Sequence, residues 1–110
     1  MAAFKVETYV IKPEKQEEHM ALVKKFVALK EKNPQKSKEL KSWKLFAQKF
    51  GGNNCGGYVE MSEFENLADV EKFSNRMMQD KEFMTTIVSS FISCTVPASA
   101  RYQFSVMLKL

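Results

Sequence analysis

From Phe4 to Ile11 the side chains alternate: Phe4, Val6, Thr8 and Val10 share one face, and Lys5, Glu7, Tyr9 and Ile11 the other. Alternation with β-branched content predicts a strand. Pro13 ends it and suits the first turn of a helix, where a missing N–H costs nothing. From about Glu14 to Lys32 the period lengthens. His19, Leu22, Val23 and Phe26, then Leu29 or Lys30, recur at helical spacing and form one apolar stripe. Asn33-Pro34 stops that helix. The polar, lysine-rich stretch Gln35–Lys41 reads as a loop or one short extra helical turn.

A second strand is predicted over Ser42–Phe50, with Trp43, Leu45 and Ala47 on one face and Phe46 and Phe50 on the other. All four glycines lie between positions 51 and 57, so the chain reverses there into a third strand, Tyr58–Phe64. Asn66 reads as an N-cap with Asp69 favouring the helix start. Val70, Phe73 and Met77 give the buried side of a second helix. Asp80 caps its continuation through Phe83 or Met84, Ile87, Val88 and Phe91. After Pro97, alternation returns over residues 101–108 as a fourth strand. No repeat, low-complexity tract or linker interrupts residues 1–110, which read as a single domain.

The order β-α-β-β-α-β predicts an α+β, ferredoxin-like fold: a four-stranded antiparallel sheet with both helices on one face. Large apolar groups occupy both faces of the strands, yet two helices cover one face only. Tyr9, Ile11, Phe46, Phe50 and Tyr58 are assigned to the uncovered face, and such a patch is an association surface. Tyr9, Phe46, Phe50 and Tyr58 are therefore the expected dimer interface, buried when two sheets pack face to face. Glu7 and Glu60 fall on the same face, with Lys44 and Arg101. They are read as cross-strand ion-pair members at that seam rather than as a hydrolytic pair.

Composition narrows the class without fixing a chemistry. A chain of 110 residues hides roughly two-thirds of the surface its unfolded form exposes, enough for one core. No apolar run approaches the ~20 residues of a membrane helix, and the N-terminus lacks an apolar leader, so a cytoplasmic protein without a membrane partner is expected. The net charge of +4 comes mostly from lysines between Lys24 and Lys44, interleaved with glutamates. That mixture describes a solvated helix face, and only weak, non-specific nucleic-acid contact is expected of it. Cys55 and Cys94 have no metal-ligand spacing and read as free thiols; with one histidine, no metal site and no cofactor are expected.

Two stretches carry a resemblance. Val6-Glu7-Thr8-Tyr9-Val10-Ile11-Lys12-Pro13 is similar to the first strand and helix entry of the dimeric α/β-barrel superfamily, with Glu14 in place of the usual glycine. Tyr58–Asp69 is similar to that superfamily's passage from strand into second helix. The superfamily includes antibiotic-biosynthesis-monooxygenase-like, stress-responsive barrel and NIPSNAP-like domains. The resemblance implies a homodimer whose sheets form a barrel, with ligand cavities between each sheet and its own helices. It does not carry an active site across. The Asn, Trp and His trio of the haem-degrading branch finds no matching context around Trp43 and His19.

Within that frame His19 is either a structural histidine at a helix edge or an acid–base group lining a pocket, and it is the one catalytic candidate. Thr8 is either a strand former or a hydroxyl on a cavity floor. Trp43, Met61, Met77 and Met84 either fill core or line a ligand site. The leading expectation is a homodimer binding a small apolar or aromatic molecule, with cofactor-independent monooxygenase activity as its enzymatic form. The alternatives are an RRM-like RNA-binding domain, stacking bases on Tyr58, and a dimeric structural or stress-response protein with no small ligand.

Overall fold

A computed structural model describes residues 2–48 and 57–106, with the side chains of 102–106 left aside. Strand β1 is Ala3–Val10, β2 Ser42–Ala47, β3 Gly57–Phe64 and β4 Arg101–Val106. They form one sheet in the order β2-β3-β1-β4, with every pairing antiparallel. Helix α1 is Gln16–Lys32, entered through the 3-10 turn Pro13–Lys15, and α2 is Leu67–Gln79. Then come α3 (Lys81–Phe83), a π-helical segment (Met84–Val88) and α4 (Ser89–Cys94). The segment after Asn33-Pro34 is a 3-10 turn, Pro34–Ser37, followed by a short connector. The glycine-rich reversal, with Cys55 and Phe50, lies outside the described residues.

Local chemistry explains the helix starts. Asn66 Oδ1 accepts the Asp69 backbone N–H at 2.9 Å, and Asp80 Oδ1 accepts that of Phe83 at 3.1 Å. Each side chain satisfies a donor that a helix start leaves open.

The face assignment differs from the sequence expectation for β1 and β3. Tyr9 (3% exposed), Ile11 and Tyr58 (9%) lie beneath the helices, packed with Leu22, Leu45, Phe91 and Cys94. They are core, not dimer interface. A tyrosine enters a core when its hydroxyl finds a partner. The Tyr9 hydroxyl lies 2.9 Å from His19 Nε2, and Tyr58 donates to Gln16 Oε1 at 2.7 Å. Because side chains alternate strictly, burying Tyr9 turns Thr8 outward and carries Glu7 inward. The helix-free face therefore presents Val6, Thr8, Val59 and Met61, and on β2 Phe46, as expected. Lys44 and Arg101 stay on that face through their pairing with Met61 and Thr8, but Glu7 and Glu60 leave it.

The connector ahead of β2 is clamped to α2. Arg76 donates from both terminal nitrogens to the two carboxylate oxygens of the buried Glu39, and from Nη1 to the Lys36 carbonyl at 3.1 Å. The guanidinium holds the Glu39 carboxyl below the usual carboxylate range. Such a group adds stability above its unfolded pKa and loses it as pH falls through the lower folded value. Arg76→Ala should cost about 1–2 kcal/mol at neutral pH, a buried-pair value discounted for the partial exposure of Arg76. The deficit should shrink on acidification, as chemical denaturation at several pH values would read.

Ala98, in the turn before β4, has φ 61, and Arg101 Nη1 donates to its carbonyl at 2.6 Å. A side chain bearing a Cβ is strained there, so Ala98→Gly should raise stability by up to about 1 kcal/mol. An unchanged or lower melting temperature would contradict this.

Candidate functional site

The helix-facing surface of the sheet is apolar at its two ends and polar between them. Ala3 pairs with Phe64 at one end and Tyr9 with Tyr58 at the other; Lys5–Ser62 and Glu7–Glu60 lie between. Each end belongs to its own hydrophobic cluster. Over the polar middle the helices leave a cavity of about 500 Å³. Its floor is Lys5, Glu7, Glu60 and Ser62, with Trp43 of β2 in the wall; α1 contributes His19, Leu22, Val23 and Phe26. The far wall is Phe73 and Met77 of α2, Phe83 of α3, Phe91 of α4, and Met84, Ile87 and Val88. Those last three belong to the π-helical segment, where the Ser89 N–H reaches back to the Met84 carbonyl. Single π turns inside helices recur at functional sites.

His19 is 1% exposed. Its ring packs edge-on to Tyr9, with centroids 5.5 Å apart, and tilted on Tyr58 at 4.3 Å. Burial lowers its pKa, so the imidazole is neutral at physiological pH. The Tyr9 phenol is pushed up, first by burial and then by the charges of Glu60 and Glu7, so it keeps its proton. When Tyr9 donates to Nε2, Nδ1 carries the ring proton; with roles reversed, Nδ1 is the lone-pair nitrogen. In both arrangements Nδ1 is buried without a hydrogen-bond partner among the described residues.

Of the residues singled out in the sequence, His19, Trp43, Met77 and Met84 stand in the cavity wall. Thr8 and Met61 do not: both lie on the opposite face of the sheet, Thr8 exposed to solvent. Tyr9 moves from the expected interface into the cavity lining. Glu7, 7% exposed, and Glu60 move with it, and Trp43 Nε1–H donates to Glu60 Oε1 at 2.9 Å. The signal for these carboxylates was in the sequence, since Lys5 and Glu7 interrupt an otherwise apolar face of β1. Cys94 is buried beside Glu18, and its thiol is pushed up by burial, which leaves it a poor nucleophile. Among the described residues no group of three or more potential metal ligands gathers, and no helix is long and apolar enough to cross a membrane. The RNA-binding alternative loses its stacking platform, because Tyr58 is buried under α1 with its hydroxyl engaged.

No family model matches the chain, and no curated protein matches it in sequence. Solved structures do match in fold. A NIPSNAP family protein from Agrobacterium tumefaciens str. C58 aligns with a TM-score of 0.76 at 14% identity, over 97% of this chain and 86% of that one. A putative antibiotic biosynthesis monooxygenase from Caulobacter crescentus CB15 gives 0.72 at 9% identity, over 98% and 91%. An uncharacterized NIPSNAP-like domain protein from Burkholderia xenovorans gives 0.66 at 12% identity, over 97% and 85%. These are members of the superfamily that the sequence resembles. At such identities the likeness shows a common fold and no common activity.

Proposed function

We propose that the protein is a homodimer, its two sheets closed face to face into a barrel, and that each subunit holds a small, largely apolar or aromatic molecule between sheet and helices. The observation that carries the ligand half is the cavity of about 500 Å³ over a polar floor. The cavity is partly open to solvent, so a molecule can enter it, and filling it would cover apolar side chains that are otherwise left facing water. Its size and its mixture of aromatic and methionine walls with a few polar groups are those of a ligand pocket. The dimer half rests on the helix-free face, where Phe46 is 49% exposed beside Val59, its cross-strand partner.

His19 is the catalytic candidate in this reading. In the tautomer that donates Nε2–H to Tyr9, Nδ1 can take a proton from a bound hydroxyl. A cofactor-independent monooxygenase would then let the resulting anion react with dioxygen. The description of the Caulobacter neighbour motivates that step. The test is a native mass spectrum of the protein from its expressing cells. The expected species has twice the 12.7 kDa chain mass plus one retained small molecule per subunit. A bare monomer at micromolar concentration would remove the dimer. A bare dimer that takes up no aromatic probe would favour a purely structural role.

A further inference from the structure

The charge of the cavity specifies its ligand more narrowly than its size does. Glu7 and Glu60 are directly opposed on neighbouring strands, and both line the cavity. Two like charges thus stand directly opposite each other on the cavity floor, a placement that a sheet does not favour by itself. Among the described residues Lys5 is the one ammonium in the lining, two residues from Glu7 on the same face. His19 adds no charge, since burial holds it neutral, and Tyr9 keeps its proton. The described lining residues therefore carry a formal charge of −1, in a chain whose net charge is +4.

Trp43 Nε1–H donates to one oxygen of Glu60. The same indole lies 5.1 Å from the Phe26 ring, and Phe26 lies 6.2 Å from Phe83. Aromatic walls thus stand directly beside the acidic floor. His19 gives an independent mark of a missing partner: a side chain in the same lining, 1% exposed, whose Nδ1 has no hydrogen bond among the described residues.

We propose that the cavity takes an organic ammonium, an amine with an aromatic or aliphatic body, seated with its charge against Glu7 and Glu60 and its body among Phe26, Trp43 and Phe83. The ammonium gains charge-assisted hydrogen bonds to the carboxylates, and the rings add cation–π attraction where they face it. A polar atom elsewhere on the ligand satisfies His19 Nδ1. This specificity rests on reading the cavity as a ligand site.

The experiment compares three probes of one shape: 4-phenylbutylamine, 4-phenylbutanol and 4-phenylbutyrate. Trp43 is the single tryptophan of the chain and a wall residue, so its fluorescence reports occupancy, with calorimetry as the second measurement. At neutral pH the amine should bind about tenfold or more tighter than the alcohol, the scale of a hydrogen bond to a charged group, and the butyrate most weakly. Glu60→Gln and Glu7→Gln, each checked for folding by circular dichroism, should reduce the amine-to-alcohol ratio toward one. Alcohol or butyrate binding as tightly as the amine would overturn the ammonium specificity and leave the ligand pocket standing. Amine preference unchanged in both variants would overturn it equally. Failure of all three probes at millimolar concentration would overturn both the specificity and the pocket.

Discussion

Phe46→Glu should yield a folded 12.7 kDa monomer where the proposed wild-type dimer should sediment at twice that mass. Phe46 lies on β2, the edge strand of the sheet, on the face without helices, and is half-exposed in the single subunit. A carboxylate there stays in water while the subunit is alone, so folding is barely affected. In a face-to-face dimer the same carboxylate would be buried without a partner, at a cost of several kcal/mol. Sedimentation equilibrium at micromolar concentration measures the shift, and circular dichroism checks the fold. Tyr9→Glu is the informative contrast. Tyr9 was expected on the same interface but lies in the core, so its replacement should unfold the subunit rather than dissociate folded ones. A Phe46→Glu variant that remains dimeric would exclude this sheet face as the interface.

The contrast between Phe46 and Tyr9 also shows where sequence reading stops. Element order was legible, because alternation over 4–11, the stripe from His19 to Phe26 and the caps at Asn66 and Asp80 are local signals. Facing was not. β1 places apolar groups on both sides, Val6 and Val10 against Tyr9 and Ile11, so period two locates the strand without saying which side is covered. What decides is tertiary: Tyr9 and Tyr58 find hydroxyl partners only beneath α1, in His19 and Gln16. That choice carried Glu7 and Glu60 under the helices and made a cavity floor of residues read as a dimer seam. His19, Trp43, Met77 and Met84 were accessible to sequence because each lies on the stripe or face that meets the core whichever way β1 turns. Thr8 and Met61 followed β1 and β3 to the other side. The π-helical segment left no sequence signal, since Ile87, Val88 and Phe91 fit an ordinary helical period.

Tyr9→Phe should destabilise the protein by about 2–3 kcal/mol, more than the loss of one ordinary hydrogen bond. Among the described residues the phenol is the one hydrogen-bond partner of the His19 ring, whose Nδ1 has none. Removing the hydroxyl leaves both nitrogens of a buried imidazole unsatisfied, and an orphaned buried group costs its full desolvation. Adding His19→Leu removes the orphan altogether, so the double variant should be no less stable than Tyr9→Phe alone. His19 is also the sole histidine of the chain, which isolates its titration. Its folded pKa is lowered by burial, so below the ordinary histidine value the unfolded chain binds a proton that the folded chain refuses. Stability should therefore fall as pH drops from neutral through the ordinary histidine value, and level off below the folded pKa. In His19→Leu this side-chain contribution to the slope should vanish. Denaturant unfolding across that pH range measures it. A Tyr9→Phe variant within about 0.5 kcal/mol of wild type, below the usual worth of one hydrogen bond, would mean that the Tyr9–His19 contact is not what holds this end of the cavity together.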